Sequence, residues 1–243
     1  MSFLTAEWRK LAIANYAIDP HILKPYVPAG TELDLWNGTC YVSLIGFLFK
    51  NTRLMGVRIP FHSNFEEVNL RFYVRYHDNG TWKRGVVFIK EIVPKFALAF
   101  VANTMYNENY VATAMKHNWA ETETARAVAY SWKCKGKWQH INVVAEKTLQ
   151  EISVGQETEF ITEHYWGYAR CTALKTNEYE VKHPKWGHYP VTGFDIDVDF
   201  GLNYGKEFAF LNHEKPLSVM LAEGSEISVE RKSSIFNDQI FIQ

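Results

Sequence analysis

Residues 68–93 constrain the fold of this chain more than any other stretch. Val68-Asn69-Leu70-Arg71-Phe72-Tyr73-Val74-Arg75-Tyr76 alternates with the two-residue period of a strand, Asp78-Asn79-Gly80 supplies a turn, and a return strand runs from Trp82 to Val93. Asn-Gly suits such a turn because both central residues need a left-handed backbone. The pattern recurs along the chain. Asn37-Gly38 precedes an apolar run at 41–49 that reads as a strand buried on both faces. Gly136 turns a hairpin between 123–132 and 138–146, and Thr176-Asn177 reads as the turn between strands at 166–174 and 179–183. Further strands are expected at 8–17, 191–200, 218–220 and 227–230. Helices are few and short. Asp19-Pro20 reads as a cap followed by a first helical residue, and a helix at 157–165 turns Phe160 and Ile161 inward. So many hairpins leave strand edges, which a closed or nearly closed barrel removes. The expectation is one mostly β (α+β) domain over residues 1–243, an antiparallel β-barrel with a few short helices.

Composition narrows the function classes. Aromatic residues reach 15% of the 243, which favours strands and can also line a pocket. Net charge is −1, and neither sign forms a run, so the basic stripe of a nucleic-acid binder is absent. The longest apolar runs, 41–49 and 96–102, are too short to cross a membrane. MSFLTAEWRK lacks the pattern of an export signal, and Cys40, Cys134 and Cys171 are odd in number and scattered. Reduced thiols in a cytoplasmic protein follow as the simplest reading. The nine histidines give no i, i+4 helical pair and the cysteines no Cys-x-x-Cys clamp, so neither a metal nor another cofactor is expected.

Two stretches carry candidate chemistry. Neighbouring strand residues face opposite ways, so one of Glu66 and Glu67 points inward; an inward Glu67 shares its face with Asn69 and Arg71. Such a set is either a buried ion pair or a substrate-orienting group. In 93–119, Pro94 opens a helix with Phe96, Ala97, Phe100 and Val101 on an apolar face, and the chain then turns polar at Asn103-Thr104-Met105-Tyr106-Asn107-Glu108-Asn109-Tyr110. Asparagines compete for backbone groups and end helices. Two readings stay open: a buried helix delivering a polar loop to an interior cavity, or a capped helix end followed by a surface turn.

The segments NYAIDPHILKPYVPAGTELDLWNGTCYVSLIGF, NFEEVNLRFYVRY, YNENY and HPKW together resemble the uncharacterised bacterial YqjF-like family, over residues 7–229. That family in turn resembles acetoacetate decarboxylase, which implies a cone-shaped β-barrel around a largely apolar cavity. The decarboxylases form a Schiff base on a lysine whose amine is kept neutral by its surroundings. Their motif is an arginine and glutamate at the start of a loop, then Pro-Lys-Lys, with a further glutamate on an earlier strand. Glu67 stands at the strand glutamate's place, Asn103 at the arginine's, and Asn109-Tyr110-Val111 at Pro-Lys-Lys. A tyrosine forms no imine, and the nearest lysine is Lys116. The resemblance therefore implies Glu67, Tyr110 and Lys116 as candidate catalytic groups, with Asn69, Arg71, Asn103, Tyr106 and Asn109 as ligand contacts. The resulting expectation is a protein that binds a small organic acid or carbonyl compound without the Schiff-base lysine. A lyase acting on a keto acid through Lys116, or through Glu67 as general base, is the alternative; a non-catalytic scaffold is the third. The decarboxylases assemble into oligomers, and a homo-oligomer stays open here.

Overall fold

Four two-residue turns share one backbone: Asn37-Gly38, Met55-Gly56, Asn79-Gly80 and Lys135-Gly136 all take positive φ (49° and 81°, 49° and 81°, 48° and 87°, 45° and 85°), the turn backbone whose twist matches paired strands. The last three join paired strands, whereas Asn37-Gly38 closes only a bridge between Trp36 and Thr39. The computed structural model describes residues 2–97, 99, 103 and 107–236. Its first strands are β1 (Leu4–Ala17), β2 (Glu32–Leu33), β3 (Tyr41–Leu54), β4 (Val57–Arg58), β5 (Phe65–Asp78), β6 (Thr81–Val93), β7 (Tyr110–Ala112) and β8 (Met115–Glu121). There follow β9 (Ala125–Cys134), β10 (Lys137–Glu146), β11 (Gln150–Glu151), β12 (Trp166–Arg170), β13 (Lys175–Lys182), β14 (Gly187–Tyr189), β15 (Val191–Asp197), β16 (Ser218–Val229) and β17 (Ser233–Phe236). Short helices cover Pro20–Leu23, Glu157–Thr162 and Phe200–Tyr204. Asp19 caps the first of these through its side chain, and Phe160 and Ile161 of the second are buried, as the sequence implies.

Seven strands pair in the order β16-β1-β3-β5-β6-β12-β13, and β13 pairs back onto β16. Val181 opposite Val229 and Lys182 opposite Ser228 close the ring, which satisfies the backbone groups an open edge would expose. The ring is antiparallel except where β12 joins β6, and β7 also runs parallel beside β6. A second sheet, ordered β15-β10-β9-β8, packs on the outside.

Strand alternation then sorts two cores. Along β5, Phe65, Glu67, Asn69 and Arg71 face the ring interior, while Val68, Leu70, Phe72 and Val74 meet Tyr130, Trp132, Ile141 and Val143 of the second sheet. Each fully buried side chain of this size stabilises the fold by about 1.5–3 kcal/mol. The sheets approach so closely that a Cβ on Gly46 would lie 2.8 Å from the Tyr130 ring. Tyr130 reaches past Gly46, its hydroxyl donating to the Lys10 carbonyl at 2.9 Å.

Two irregularities reset the alternation. In β1, Lys10 takes φ 56°; on the facing strand Gly224 takes φ 79°, so that Trp8 and Leu11 both line the interior. In β6 the register slips between Leu70, opposite Lys90, and Arg71, opposite Phe88. Ile89 is the extra residue of a bulge. Val86, Phe88 and Glu91 therefore all face inward, while Ile89 and Ile92 join the outer core.

Several expectations need correcting. Thr176 and Asn177 are buried inside β13; the turn lies at 171–174, where the Cys171 and Thr172 amides donate to the Lys175 carbonyl. The strands expected at 218–220 and 227–230 are one strand, β16, bent at Gly224. Phe200 starts a helix instead of ending a strand. Phe96 is 75% exposed and not part of a buried helical face; Phe100 and Val101 lie outside the described residues.

Candidate functional site

The inward side chains enclose a cavity of about 230 Å³. Trp8, Phe47, Phe49, Phe65, Phe88 and Trp186 make most of its wall apolar. Polar groups gather on one side: Glu67, Asn69 and Arg71 from β5, Glu91 from β6, Glu108 and Tyr110 at the start of β7, and Tyr179 from β13. Strand register aligns them, with Asn69 opposite Glu91 and Glu91 opposite Tyr110.

Glu67 is 2% exposed; its Oε1 accepts from Asn69 Nδ2 at 2.9 Å and its Oε2 from the Tyr110 hydroxyl at 3.3 Å. The Tyr179 hydroxyl donates to Glu108 Oε1 at 2.8 Å. Burial penalises the charged form of all three acids. It pushes Glu67 up to about 7, against the hydrogen bonds of Asn69 and Tyr110 and the charge of Arg71. It pushes Glu108 up to about 8, with Tyr179 opposing and Glu67 adding repulsion. Glu91 lies well above the usual carboxylate range, first through burial and then through repulsion from Glu108 and Glu67. Three interacting acids titrate as one set, and near neutral pH that set retains protons. Burial also holds the Tyr110 and Tyr179 hydroxyls well above their ordinary value, so both remain donors.

Arg71 donates through Nη2 to the Ile161 carbonyl at 3.2 Å and lies 5.5 Å over the Tyr73 ring. Six buried atoms of cavity-lining residues have no partner among the described residues: Arg71 Nε, Asn69 Oδ1 and Glu91 Oε2 in this polar group, and Trp8 Nε1, Thr52 Oγ1 and His164 Nδ1 elsewhere on the wall. His164, also on the wall, faces Asp34 Oδ2 through Nε2 at 3.2 Å, and Arg84 Nε donates to the same oxygen at 2.6 Å. Burial pulls His164 down to about 4, which keeps it neutral.

The structure thus brings Glu67, Asn69, Arg71 and Tyr110 together on one wall. Asn103 and Asn109 do not line the cavity; they pin the segment that does. Asn103 Nδ2 donates to the Tyr110 carbonyl at 2.9 Å while its Oδ1 accepts from the Tyr110 amide at 2.7 Å. Asn109 Nδ2 donates to the Ile89 carbonyl, at the bulge, at 2.8 Å. Tyr106 lies outside the described residues. Lys116 is a correction. It sits on β8 in the second sheet, facing away from the core that Met115 and Trp119 pack against, with its ammonium 4.6 Å over the Trp138 ring. No lysine lines the cavity among the described residues.

Glu91, Glu108, Tyr179 and His164 were not among the expected site residues. Glu108 was in view, inside the polar run that reaches Tyr110. Glu91 was hidden by the bulge, because regular alternation from Val86 and Phe88 turns Lys90 inward and Glu91 outward. Lys90 in fact lies outside the ring, partly buried, its ammonium donating to the Asn203 carbonyl. Among the described residues no three His, Cys, Asp or Glu side chains form a metal-holding group, and no helix is long and apolar enough to cross a membrane.

The fold is that of the acetoacetate-decarboxylase-like structures. The chain superposes on the acetoacetate decarboxylase of Legionella pneumophila with a TM-score of 0.64 at 11% identity, covering 96% of this chain and 86% of that one. It superposes on the enduracididine biosynthesis enzyme MppR, complexed with pyruvate, with a TM-score of 0.65 at 8% identity, covering 96% and 91%. Sequence comparison is more specific. Residues 5–226 match the DUF2071 family model, described as an uncharacterized conserved protein, and the chain belongs to that family. It is 31% identical to the uncharacterized protein YqjF of Bacillus subtilis (strain 168) over 197 residues, 81% of this chain and 77% of the relative.

Proposed function

We propose that this protein binds a small organic acid or carbonyl compound in the ring cavity, without forming an imine. The observation that carries this reading is the group of three unpartnered buried atoms within the polar side of a mostly apolar cavity. Arg71 Nε offers a donor beside a positive charge, Asn69 Oδ1 an acceptor, and Glu91 Oε2 a carboxyl oxygen. Buried polar groups left without partners cost about 1–3 kcal/mol each, and a ligand that supplies those partners recovers much of that cost. A carboxylate or carbonyl oxygen satisfies the arginine, and the aromatic wall covers the apolar remainder. At about 230 Å³ the cavity falls below the range of drug-sized sites, so the ligand is small. The likeness to a pyruvate-bound MppR is consistent with that chemistry, as an analogy of fold.

Thermal melting across 2-oxo, 3-oxo, hydroxy and dicarboxylic acids tests the reading. A bound ligand at saturating concentration raises Tm by about 5 °C, and Arg71→Met removes that rise. Flat melting curves across the panel refute the reading. In parallel, borohydride reduction with the same carbonyl compounds is expected to leave the intact mass unchanged. An increment mapped to any lysine transfers support to imine chemistry.

A further inference from the structure

The buried carboxyls do not have equivalent surroundings. Glu67 accepts a hydrogen bond at each oxygen, from Asn69 and Tyr110, and lies in the field of Arg71. Each of these favours the ionised form. Glu91 is 2% exposed, meets the repulsion of two other acids against a single opposing hydrogen bond from Tyr110, and leaves Oε2 without a partner among the described residues. Those surroundings favour the protonated form. A protonated carboxyl donates one hydrogen bond, and with its proton on Oε2 Glu91 is free to donate to whatever occupies the cavity. Burial raises both carboxyls, but the hydrogen bonds and the arginine at Glu67 make it the easier of the two to ionise, and two acids so separated on one wall form the pairing of a base with an acid.

Resting on the binding of a carbonyl compound argued above, we propose that the cavity catalyses proton transfer at the carbon α to the carbonyl of a small ketone or oxo acid, with Glu67 as general base, Glu91 as general acid and Arg71 anchoring a ligand carboxylate. The α C–H bond breaks and its proton passes to a Glu67 oxygen. The freed electron pair forms the C=C bond of the enol, while the carbonyl π pair moves onto oxygen and takes the proton of Glu91. Reversal with solvent-derived protons restores the carbonyl compound, so the net reaction is α-proton exchange and needs no co-reactant. Tyr110 and Asn69 hold the base, and the aromatic wall keeps bulk water from the enol.

The test is proton NMR of the full-length chain in D₂O, in amine-free buffer, with pyruvate, 2-oxobutanoate and butanone. Loss of the α-proton signal reports exchange, and saturation transfer on the same samples reports binding. The expected result is exchange above the buffer rate, reduced about 100-fold by Glu67→Gln and by Glu91→Gln with binding retained. Lys116→Ala is expected to leave it unchanged. Saturation transfer without exchange overturns the inference and leaves the binding reading standing. Neither signal with any of the three compounds overturns both. Exchange that survives both glutamine variants, or that falls with Lys116→Ala, assigns the chemistry elsewhere. Because wild-type exchange is scored independently of the variants, a variant that fails to fold leaves the inference open to refutation.

Discussion

Raising the pH from about 6.5 to 8.5 is expected to destabilise this protein by several kcal/mol, through Glu67, Glu91 and Glu108. In the folded chain these carboxyls hold protons that the unfolded chain has released above its ordinary value of 4.5. A fold that binds more protons than its unfolded state loses stability as pH rises. The contribution is fully present below about 4.5 and is lost through about 7 for Glu67 and about 8 for Glu108. For Glu67 alone the rise from 4.5 to about 7 corresponds to roughly 3 kcal/mol, most of it lost below pH 6.5, so Glu108 and Glu91 carry the larger part of the loss between 6.5 and 8.5. Two other groups work in the opposite direction at acid pH. His164, pulled down to about 4, costs stability as pH falls through 6.5 toward 4, and Asp34, held low by His164 and Arg84 against its burial, does so below its ordinary range. The alkaline arm is therefore where the acid cluster shows. Urea unfolding of the wild type and of the Glu67→Gln, Glu108→Gln double variant, run side by side across this window, isolates the cluster. The expected outcome is a wild-type midpoint that falls with pH and a double variant that falls less. Parallel curves would mean that these acids are not held protonated by burial.

Gly224→Ala is expected to cost about 3 kcal/mol or more. An alanine at φ 79° has a left-handed backbone, which alone costs about 1–2 kcal/mol, and its Cβ would lie 2.0 Å from the Trp8 carbonyl oxygen. That oxygen belongs to β1, the strand β16 pairs with, so no side-chain rotation relieves the contact. Chemical denaturation measures the loss, and the same change at Gly38, where nothing lies within 4 Å of the added atom, controls for the positive φ alone. Equal costs at the two sites would show that the paired strands can spread at Gly224.

Much of the scaffold was legible because turn chemistry is local. Asn-Gly at 79–80 demands a left-handed pair whatever the rest of the chain does, and β5 and β6 follow from it; the same pair at 37–38 closes only the bridge between Trp36 and Thr39. The inward face of β5 was legible for a similar reason: between Phe65 and Arg71 the alternation is unbroken, so placing Glu67 also places Asn69 and Arg71. What escaped the sequence was non-local. Gly224 looked like a gap between two strands because nothing nearby announces that Lys10 bends the partner strand at the same level. Lys116, close to Tyr110 in sequence, is far from it in chemistry because β7 joins the ring and β8 joins the outer sheet. Thr176-Asn177 read as a turn by composition, whereas Ser234 and Ala29 supply partners that a buried strand requires.

The extra residue at Ile89 gives the ring wall a second possible composition. Lys90 and Glu91 are adjacent, and the backbone count alone decides which of them faces the cavity. A relative that lost the bulge by a one-step slide of β6, and kept its length, would keep its architecture while presenting an amine where this chain presents an acid. Single-residue insertions and deletions just before Glu91 are therefore changes of reagent, and alignments that float a gap freely across 88–91 would assign such relatives the wrong chemistry.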